Sequence, residues 1–400
     1  MMEKDYSSVY SYEFYKANNG DLNDAFGDNE ELYFKHFIEY GMKEGRRGNV
    51  RFEVNSFRKA HPELEALFGD KLEFYYKEYM KNPEYAFEKE PMKELEMNVQ
   101  GEEQIEILHK AQECNRILLR ELDRVCKKYG IRYYLICGTL LGAIRHKGFI
   151  PWDDDADVAM TRHDFEILKK VASEEWDGKE FLFVDYNELG NGAFLDFMSR
   201  LVYMKEEVPV ITFQKIRGKG RRDIDNHVPL DIYILDNASD DEKKHMRQTK
   251  ILQGIYGLGM GHRAYIDFSE YEDTPAKLQK QIKFLIRVGK VLPLSWICFA
   301  YEKVRRLYNK QETENYIMSN GFIFCIPWKH KKEWFAKGSY VGIDGEKFMA
   351  PANWDAYLQK QYGDYLRLPA VEDRHPTHTY GATGIYHRID YTKGTERMEL

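Results

Sequence analysis

Residues 131–160, IRYYLICGTLLGAIRHKGFIPWDDDADVAM, carry the pattern that decides the fold of this chain. Residues 131–137 are an apolar, aromatic run typical of a buried strand, and residues 140–145 have the length of one short helix. Gly138 and Thr139 lie between them, where glycine lets a ligand approach the backbone and the N–H groups of a helix start favour a phosphate. Strands mixed with helices indicate an α/β or α+β catalytic domain.

Four aspartates, Asp153, Asp154, Asp155 and Asp157, follow within the same stretch. In an extended strand, the side chains of residues 153, 155 and 157 point to one face. Carboxylates in that arrangement repel one another unless cations neutralise them, and oxygen ligands suit Mg²⁺ or Mn²⁺. The alternative is a solvated acidic loop. The apolar sequence on both sides of the run argues against that alternative.

A further carboxylate is needed to complete a two-metal site, and Asp231 is the best candidate. It lies inside the apolar run PLDIYI at residues 229–234, where an unpaired charge is costly. The alternative is a buried ion pair with an arginine. Asp236 ends the same run and is predicted to be a turn residue.

Residues 138–160, together with VPLDIYILD at residues 228–236, closely resemble the LicD/fukutin family of phosphotransferases. YGDYLRLP at residues 362–369 is similar to another element of that family. The resemblance covers about residues 103–380. It implies a nucleotidyltransferase-type α+β fold, in which helices flank a mixed sheet that carries a G-[ST] turn and a D-x-D metal pair.

Carried onto this sequence, the resemblance implies a metal site formed by Asp153, Asp155, Asp157 and Asp231. Three of these, Asp155, Asp157 and Asp231, are also implied to be catalytic. The nucleotide-binding turn falls on Gly138 and Thr139. The side chain of Asp154 is expected to point the other way.

The family implies a transferase that moves phosphocholine, or an alditol or glycerol phosphate, from a CDP-activated donor. The acceptor is a hydroxyl of a cell-surface glycan or of its lipid-linked precursor, and Mg²⁺ or Mn²⁺ is the cofactor. Asp231 would help to deprotonate that hydroxyl, which attacks the distal phosphorus while CMP leaves. The alternatives are a nucleotidyl transferase of the same fold that releases pyrophosphate, and a glycan-binding protein with a relic catalytic domain.

Basic residues around the acidic run are predicted to meet the anionic donor. The planar fork of Arg145 suits phosphate oxygens, with ion pairing to the aspartates as the alternative. Lys215 and Arg217 belong to a basic loop just before the strand of the third carboxylate, and a solvated loop is the alternative. Arg374, His375 and His378, near the C-terminus, are predicted to close over the substrate, with plain surface exposure as the alternative.

Other helices and strands follow from apolar periodicity. An amphipathic helix is predicted over residues 103–129, with Gly130 ending it. Residues 181–184 and 230–235 are predicted strands. Ser239, with Glu242 three residues later, resembles a capping box that opens the next helix.

The first part of the chain contains an internal repeat. An offset of 42 residues aligns Phe26-Gly27-Asp28 with Phe68-Gly69-Asp70, and aromatic positions around them also coincide. Repeats of this size are usually stacked helical units whose shared apolar positions form the core. Each glycine is predicted to end a helix and each aspartate to open the next. The repeat implies binding or spacing rather than catalysis.

The distribution of net charge also separates the first 100 residues from the rest of the chain. The net charge of −7 belongs entirely to residues 1–100, so the remainder is neutral, and such a chain is a poor candidate for nucleic-acid binding. With 43% hydrophobic residues, the 400-residue chain can bury more than one core. The predicted domains are a repeat region at residues 1–85, a charged linker at 86–102 and a catalytic domain at 103–390.

The cysteine pattern and the apolar runs indicate where in the cell the protein is located. The five cysteines are odd in number and form no C-x-x-C, which fits a reducing cytosol. No signal-peptide pattern and no run of about 20 apolar residues occurs, so a cytoplasmic protein is predicted. Residues 291–301, VLPLSWICFAY, are predicted to be a buried helix pair interrupted at Pro293. The alternative is a basic, aromatic surface that makes a peripheral contact with an anionic membrane.

Overall fold

A computed structural model of the chain describes residues 6–49, 52–81, 97–99, 101–190, 192–208, 224, 226–263, 266, 268 and 274–378. The chain divides into two compact units. One comprises Met1–Leu95 and Gln359–Leu368, and the other comprises Glu96–Leu358 and Pro369–Leu400. The predicted linker lies mostly outside the described residues, and the predicted domain boundaries stay predictions.

The described part of the N-terminal unit is built from short helices. They are α1 (Tyr12–Asn18), α2 (Asn23–Phe26), α3 (Glu30–His36), α4 (Val54–Ala60), α5 (Glu65–Phe68) and α6 (Leu72–Lys81). The bounds of α1 and α2, shifted by the offset of the sequence alignment, coincide with those of α4 and α5. Gly27 and Gly69 end α2 and α5 with φ of 54° and 50°, a backbone conformation that favours glycine, as predicted. The prediction that Asp28 opens the next helix is wrong, because Asn29 caps α3 by accepting from Leu32 N–H.

Aromatic side chains form the core of this unit. Aromatic residues at equivalent positions of the two halves are buried in the same core cluster. Tyr15 is equivalent to Phe57, and Tyr33 is equivalent to Tyr75. A buried tyrosine hydroxyl needs a partner, and the Tyr33 hydroxyl donates to Asn23 Oδ1 at 2.7 Å. The prediction that the aligned aromatic positions form the core is therefore confirmed for these two pairs, whereas Phe74, which aligns with Leu32, is exposed.

The second unit contains longer helices and nearly all of the strands that position the site. Its helices are α7 (Glu102–Tyr129), α8 (Cys137–Arg145), α9 (Arg162–Glu175), α10 (Glu242–Gly259), α11 (Ala276–Gly289), α12 (Leu294–Arg305) and α13 (Trp354–Tyr362), the last of which runs on into residues of the N-terminal unit. Its strands are β1 (Tyr134–Leu135), β2 (Ala156–Thr161), β3 (Phe181–Val184), β4 (Ser199–Tyr203), β5 (Pro229–Ala238), β6 (Asn315–Met318), β7 (Lys329–Lys331), β8 (Gly338–Ile343) and β9 (Glu346–Pro351). The unit is therefore α+β, as predicted.

A mixed sheet forms the centre of this unit. Its strands run in the order β1-β2-β5-β4-β3, with β6 pairing to the far end of β5 and β7 to β6, while β8 and β9 form a separate hairpin. β2 and β5 are parallel and the other pairs are antiparallel. Strand β5 has neighbours on both sides, so its residues are mostly buried.

Several predicted boundaries need correction. The helix over 103–129 is confirmed, and Gly130 caps it with φ of 66°. The strand predicted over 131–137 shrinks to β1, because Cys137 already begins α8 and takes Gly138 and Thr139 into the first helical turn. The cap of α10 is Asp241, whose side chain accepts from Lys244 N–H at 3.0 Å, so the capping box predicted at Ser239 is wrong.

The helix break predicted at Pro293 is confirmed, since α11 ends at Gly289 and α12 begins at Leu294. The prediction that this run is buried is wrong in part. Cys298 and Tyr301 lie in the core, but Trp296 is 69% exposed. Among the described residues, no helix combines the length and the apolar character needed to cross a membrane.

Candidate active site

The first turn of α8 supports the acidic segment. The backbone N–H of Asp157 donates to Thr139 Oγ1 at 2.8 Å, and Thr139 is buried. Gly138 faces the Asp153 carboxylate so closely that a Cβ atom at residue 138 would lie 2.4 Å from Asp153 Oδ2. The Gly-Thr pair therefore positions the acidic segment, and its role in binding a nucleotide stays a prediction.

Gly138→Ala is expected to lower activity by about 10²-fold without unfolding the protein, because the new methyl group displaces the short Asp153 side chain. Gly142→Ala is the matched control in the same helix. Its Cβ would lie 2.6 Å from the backbone oxygen of Gly148, which cannot move away as a side chain can. That variant is expected to lose about 1–3 kcal/mol of unfolding free energy, measured by urea denaturation. Equal effects of both variants on activity and stability would contradict this assignment.

Residues 153–155 form a loop, and β2 begins only at Ala156. The prediction that residues 153, 155 and 157 share one face of a strand is therefore wrong for the first two. Amide side chains of α7 hold the loop backbone instead: Gln112 Nε2 donates to the Asp153 carbonyl at 2.9 Å, and Asn115 Nδ2 to that of Asp154 at 3.1 Å. Two carbonyls of the loop are thereby satisfied outside a strand ladder.

Asp157 and Asp231 are direct neighbours across the parallel strands β2 and β5. Parallel neighbours in register point to the same face of a sheet, so these two carboxylates come from distant parts of the sequence to one place. Asp157 is 7% exposed, and 19% of the Asp231 side chain is exposed. The predicted meeting of the acidic run with Asp231 is thus observed in the strand register.

The carboxylates of this site act on one another electrostatically. Burial, followed by the charges of Asp155 and Asp231, raises the pKa of Asp157 well above its usual range. Burial, followed by the charges of Asp155 and Asp154, raises the pKa of Asp153 in the same direction. Burial also raises the pKa of Asp231 to about 6, although Arg200 opposes the rise. The site therefore concentrates more negative charge than its own residues neutralise.

Arg200 of β4 is the main cationic partner within this site. Its Nε lies 2.8 Å from Asp231 Oδ1, and its two terminal nitrogens bind Asp196 at 2.9 and 2.7 Å. The buried ion pair considered as the alternative for Asp231 therefore exists alongside the neighbouring Asp157. Sequence reasoning missed Arg200, although an arginine in the otherwise apolar run RLVY was a usable signal.

The Asp154 side chain holds the C-terminal segment. Its Oδ2 accepts from His378 N–H at 3.0 Å, and its Oδ1 accepts from Thr377 N–H at 3.3 Å. The His378 Nδ1 atom lies 3.2 Å from Asp154 Oδ1 and 3.6 Å from Asp155 Oδ2. Of the two histidines predicted to close over the substrate, His378 thus lies beside the acidic segment.

The predicted basic residues have different surroundings. Arg145 is half-buried, and its Nε donates to His146 Nε2 at 2.8 Å. Arg374 Nε donates to the Pro369 carbonyl, and its guanidinium lies 5.6 Å from the ring centroid of Trp152. His375 Nδ1 lies 3.1 Å from the Pro376 carbonyl oxygen. Lys215 and Arg217 lie outside the described residues.

Burial lowers the pKa of two side chains in the segment between α8 and the acidic loop. Burial, followed by the charge of Arg145, lowers the pKa of His146 to about 3, so this ring is neutral at pH 7 and accepts from Arg145. Burial also lowers the pKa of Lys147 to about 8. Arg145 is therefore the permanent cation of this segment.

The described residues contain no group of three or more His, Cys, Asp or Glu side chains arranged to hold a metal ion. The chemistry of the donor set nevertheless fits a hard divalent cation, because all four predicted ligands are carboxylates. Asp153 Oδ2 is buried, with no hydrogen-bond partner among the described residues, and Asp153 and Asp157 share the unfavourable charge described above. A divalent cation would give Asp153 Oδ2 a partner and would offset the negative charge on Asp153 and Asp157.

Comparison with known proteins adds an independent line of evidence. Residues 130–214 match the family model described as LicD/FKTN/FKRP, nucleotidyltransferase domain. The chain is 26% identical over 270 residues to the lipopolysaccharide cholinephosphotransferase LicD of Haemophilus influenzae, which covers 65% of this chain and 92% of that relative. An uncharacterized protein of Rickettsia prowazekii is 43% identical over 54 residues, which are 14% of this chain and 20% of that protein. An uncharacterized protein of Rickettsia typhi is 43% identical over 47 residues, which are 12% of this chain and 15% of that protein.

The family match and the site geometry overlap. The matched residues include the first turn of α8, the acidic segment and Arg200, whereas Asp231 lies beyond them and is connected to them by strand register. The part of the chain that is similar to the LicD/FKTN/FKRP family is therefore the part that holds the acidic segment of the site.

Proposed function

We propose that this chain is a metal-dependent phosphotransferase that moves a phospho-alcohol group from a CDP-activated donor to a hydroxyl of a glycan or of its lipid-linked precursor. The name of the Haemophilus influenzae relative, a lipopolysaccharide cholinephosphotransferase, makes phosphocholine the first donor group to test and a lipopolysaccharide-type glycan the first acceptor. Glycerol phosphate and alditol phosphate are the other donor groups proposed. The catalytic part is proposed to have the nucleotidyltransferase-type fold.

The observation that carries this proposal is the pairing of Asp157 with Asp231 across β2 and β5, with Asp155 close enough to raise the pKa of Asp157. A purely structural acidic cluster would be neutralised by bases or exposed to water. Here the carboxylates are largely buried, and Arg200 is already shared between Asp231 and Asp196. Such an arrangement favours a ligand that brings positive charge.

We propose that Asp153, Asp155, Asp157 and Asp231 hold Mg²⁺ or Mn²⁺. When bound, such an ion would neutralise charge on phosphate oxygens, which makes the distal phosphorus a better target and CMP a better leaving group. This chemistry explains why oxygen ligands and not thiols or imidazoles dominate the site.

The remaining steps fall to the side chains of the protein. Asp231 accepts the proton of the acceptor hydroxyl, while the Arg200 ion pair fixes its orientation. The hydroxyl oxygen forms a bond to the distal phosphorus, and the bond from that phosphorus to the CMP oxygen breaks in line. Arg145, at the end of α8, is proposed to bind donor phosphate oxygens. His378 is proposed to help cover the site, because Asp154 holds its backbone beside Asp155.

The N-terminal repeat is proposed to bind or space rather than to catalyse. Its two halves share helix bounds and aromatic core positions, which supports two copies of one structural unit. The cytoplasmic location remains a prediction.

The full chain, incubated with Mg²⁺ and CDP-choline, CDP-glycerol or CDP-ribitol and a glycan acceptor panel, is expected to release CMP from at least one donor. Chromatography of the nucleotide products separates CMP from pyrophosphate-releasing chemistry. Asp155→Asn is expected to abolish release, whereas Asp177→Asn, an exposed carboxylate in the same unit, is expected to leave it unchanged. Pyrophosphate release would favour the nucleotidyl transferase alternative. No product from any CDP donor would contradict the proposal.

A further inference from the structure

Large apolar side chains are exposed around the connection between α11 and α12. Phe284 is 64% exposed, Val291 81%, Trp296 69% and Phe299 63%. All four lie within residues 284–299, whereas a single exposed apolar residue would be ordinary on any protein surface. Clustered exposure of this kind marks a surface that contacts something apolar.

The exposed residues lie on the helix faces opposite the core. In α12, Trp296, Phe299 and Lys303 recur at spacings of three and four residues, which places them on one side of the helix. The other side carries Cys298 and Tyr301, which pack into the core cluster. The helix is thus apolar on both sides, but only one side has a partner within the described residues.

Basic residues accompany these exposed aromatic groups. Residues 276–305 contain seven lysines and arginines and a single acidic residue, Glu302, which is already paired with Arg305 and Arg306. Lys277 and five further cations of the segment have no carboxylate partner among the described residues; the five are Lys280, Lys283, Arg287, Lys290 and Lys303. Local charge here is strongly positive, although the chain as a whole carries a net charge of −7.

We propose that this basic–aromatic surface, formed by Phe284, Val291, Trp296 and Phe299 with the five cations named above, binds the surface of an anionic lipid bilayer. Aromatic and aliphatic side chains enter the boundary between headgroups and acyl chains, and long lysine side chains reach the phosphates. A protein partner is less well matched, since lysine is depleted from protein–protein interfaces. The proposal goes beyond the transfer reaction and does not depend on it.

The full chain is tested by co-sedimentation with vesicles of phosphatidylcholine alone and of phosphatidylcholine with about one third phosphatidylglycerol. Binding is expected for the anionic vesicles and is expected to weaken as salt is added. The double variant Trp296→Ser/Phe299→Ser is expected to bind at least about tenfold more weakly. Changing Lys283, Arg287 or Lys290 to glutamine is expected to weaken binding by roughly fivefold for each charge.

Two further variants distinguish vesicle binding through this surface from nonspecific adsorption of the protein to vesicles. Trp296→Phe is expected to keep vesicle binding but to lose most of the blue shift of tryptophan emission on vesicle addition. Tyr340→Ser removes an aromatic residue of β8 that is 55% exposed, and it is expected to change neither readout. Thermal unfolding is expected to be the same for all variants, since each replaced side chain is exposed.

Three outcomes would overturn the proposal. One is failure of the parent chain to bind anionic vesicles at low salt, or equal binding to both vesicle types. Another is undiminished binding by the Trp296→Ser/Phe299→Ser variant. The third is a dimer of the parent chain, detected by light scattering, that this variant dissociates in the absence of any vesicle binding, which would assign the surface to a second copy of the chain.

Discussion

Replacing Asp157 by asparagine is expected to lower the rate of donor turnover by at least about 10³-fold, or about 4 kcal/mol of transition-state free energy. Asp157 is the residue at which the two parts of the site meet, because it belongs to the acidic run and also pairs in register with Asp231. Asparagine has nearly the same size, and the backbone N–H that donates to Thr139 is unchanged. The loss would therefore report the missing charge rather than a displaced strand.

A second readout of Asp157→Asn does not require turnover. In the absence of divalent cations, removing one of several repelling buried carboxylates is expected to raise the melting temperature. Mg²⁺ is expected to stabilise the parent chain, by about 2.7 kcal/mol at a concentration 100 times its Kd, and to stabilise the variant much less. Differential scanning calorimetry with and without Mg²⁺ measures both effects.

Asp177→Asn is the matched control for both readouts. Its carboxylate is exposed, lies in the same unit, accepts from Lys179 N–H at 2.9 Å and lies 3.7 Å from Lys179 Nζ. This variant is expected to retain activity and the full response to Mg²⁺. Turnover by Asp157→Asn at the parent rate, or an equal response of both variants to Mg²⁺, would show that the metal assignment is wrong.

The sequence carried enough information to place the centre of this site. A glycine before the acidic run, the run itself and an aspartate in a second apolar strand are local patterns, and apolar periodicity predicted the strand of Asp231. The closeness of Asp157 and Asp231 depends on β2 and β5 being parallel neighbours in one register. The apolar surroundings of Asp231 and the family resemblance both grouped it with the acidic run, but neither specified the parallel pairing of the two strands.

Residues that act across the sheet left weaker signals in the sequence. Asn115 occupies a position on the apolar face of α7, between Ala111 and Leu118, and this polar interruption was a sign that its side chain meets backbone groups. Arg200 and His378 reach the carboxylates from β4 and from the C-terminal segment. Their roles depend on tertiary placement that periodicity does not describe.

Asp236 shows how an interpretation from local pattern fails. The residue was predicted to be a turn residue because it ends the run PLDIYILD, yet β5 continues to Ala238 and Asp236 is fully buried within it. Arg162 forms an ion pair with Asp236 at 2.5 Å, and Asn309 Nδ2 and Ser319 Oγ also donate to it. A charge that would break an isolated strand is tolerated here because three other segments satisfy it.

Asp236→Ala is therefore expected to lower the free energy of unfolding by about 3–5 kcal/mol, measured by urea denaturation, because it leaves Arg162 buried without its main partner. The Arg162→Met/Asp236→Leu double variant removes both charges and is expected to be clearly more stable than Asp236→Ala. Glu174→Ala, in the same helix as Arg162, is the control, since Glu174 is exposed and its replacement is expected to have a small effect. An unfolding free energy of Asp236→Ala within about 1 kcal/mol of the parent would contradict a supporting role for this pair.

The pair also has a predictable dependence on pH. Burial alone would raise the pKa of Asp236, but the charge and hydrogen bonds of Arg162 outweigh burial, so the pKa of this carboxyl is lowered. A carboxyl whose pKa is lower in the folded state contributes stability above its unfolded pKa of about 3.9, and this contribution is lost as the pH falls through the folded pKa. The parent chain is thus expected to lose more unfolding free energy below about pH 4 than Asp236→Ala does. Parallel pH profiles of the two proteins would show that the Arg162 pair contributes nothing to acid stability.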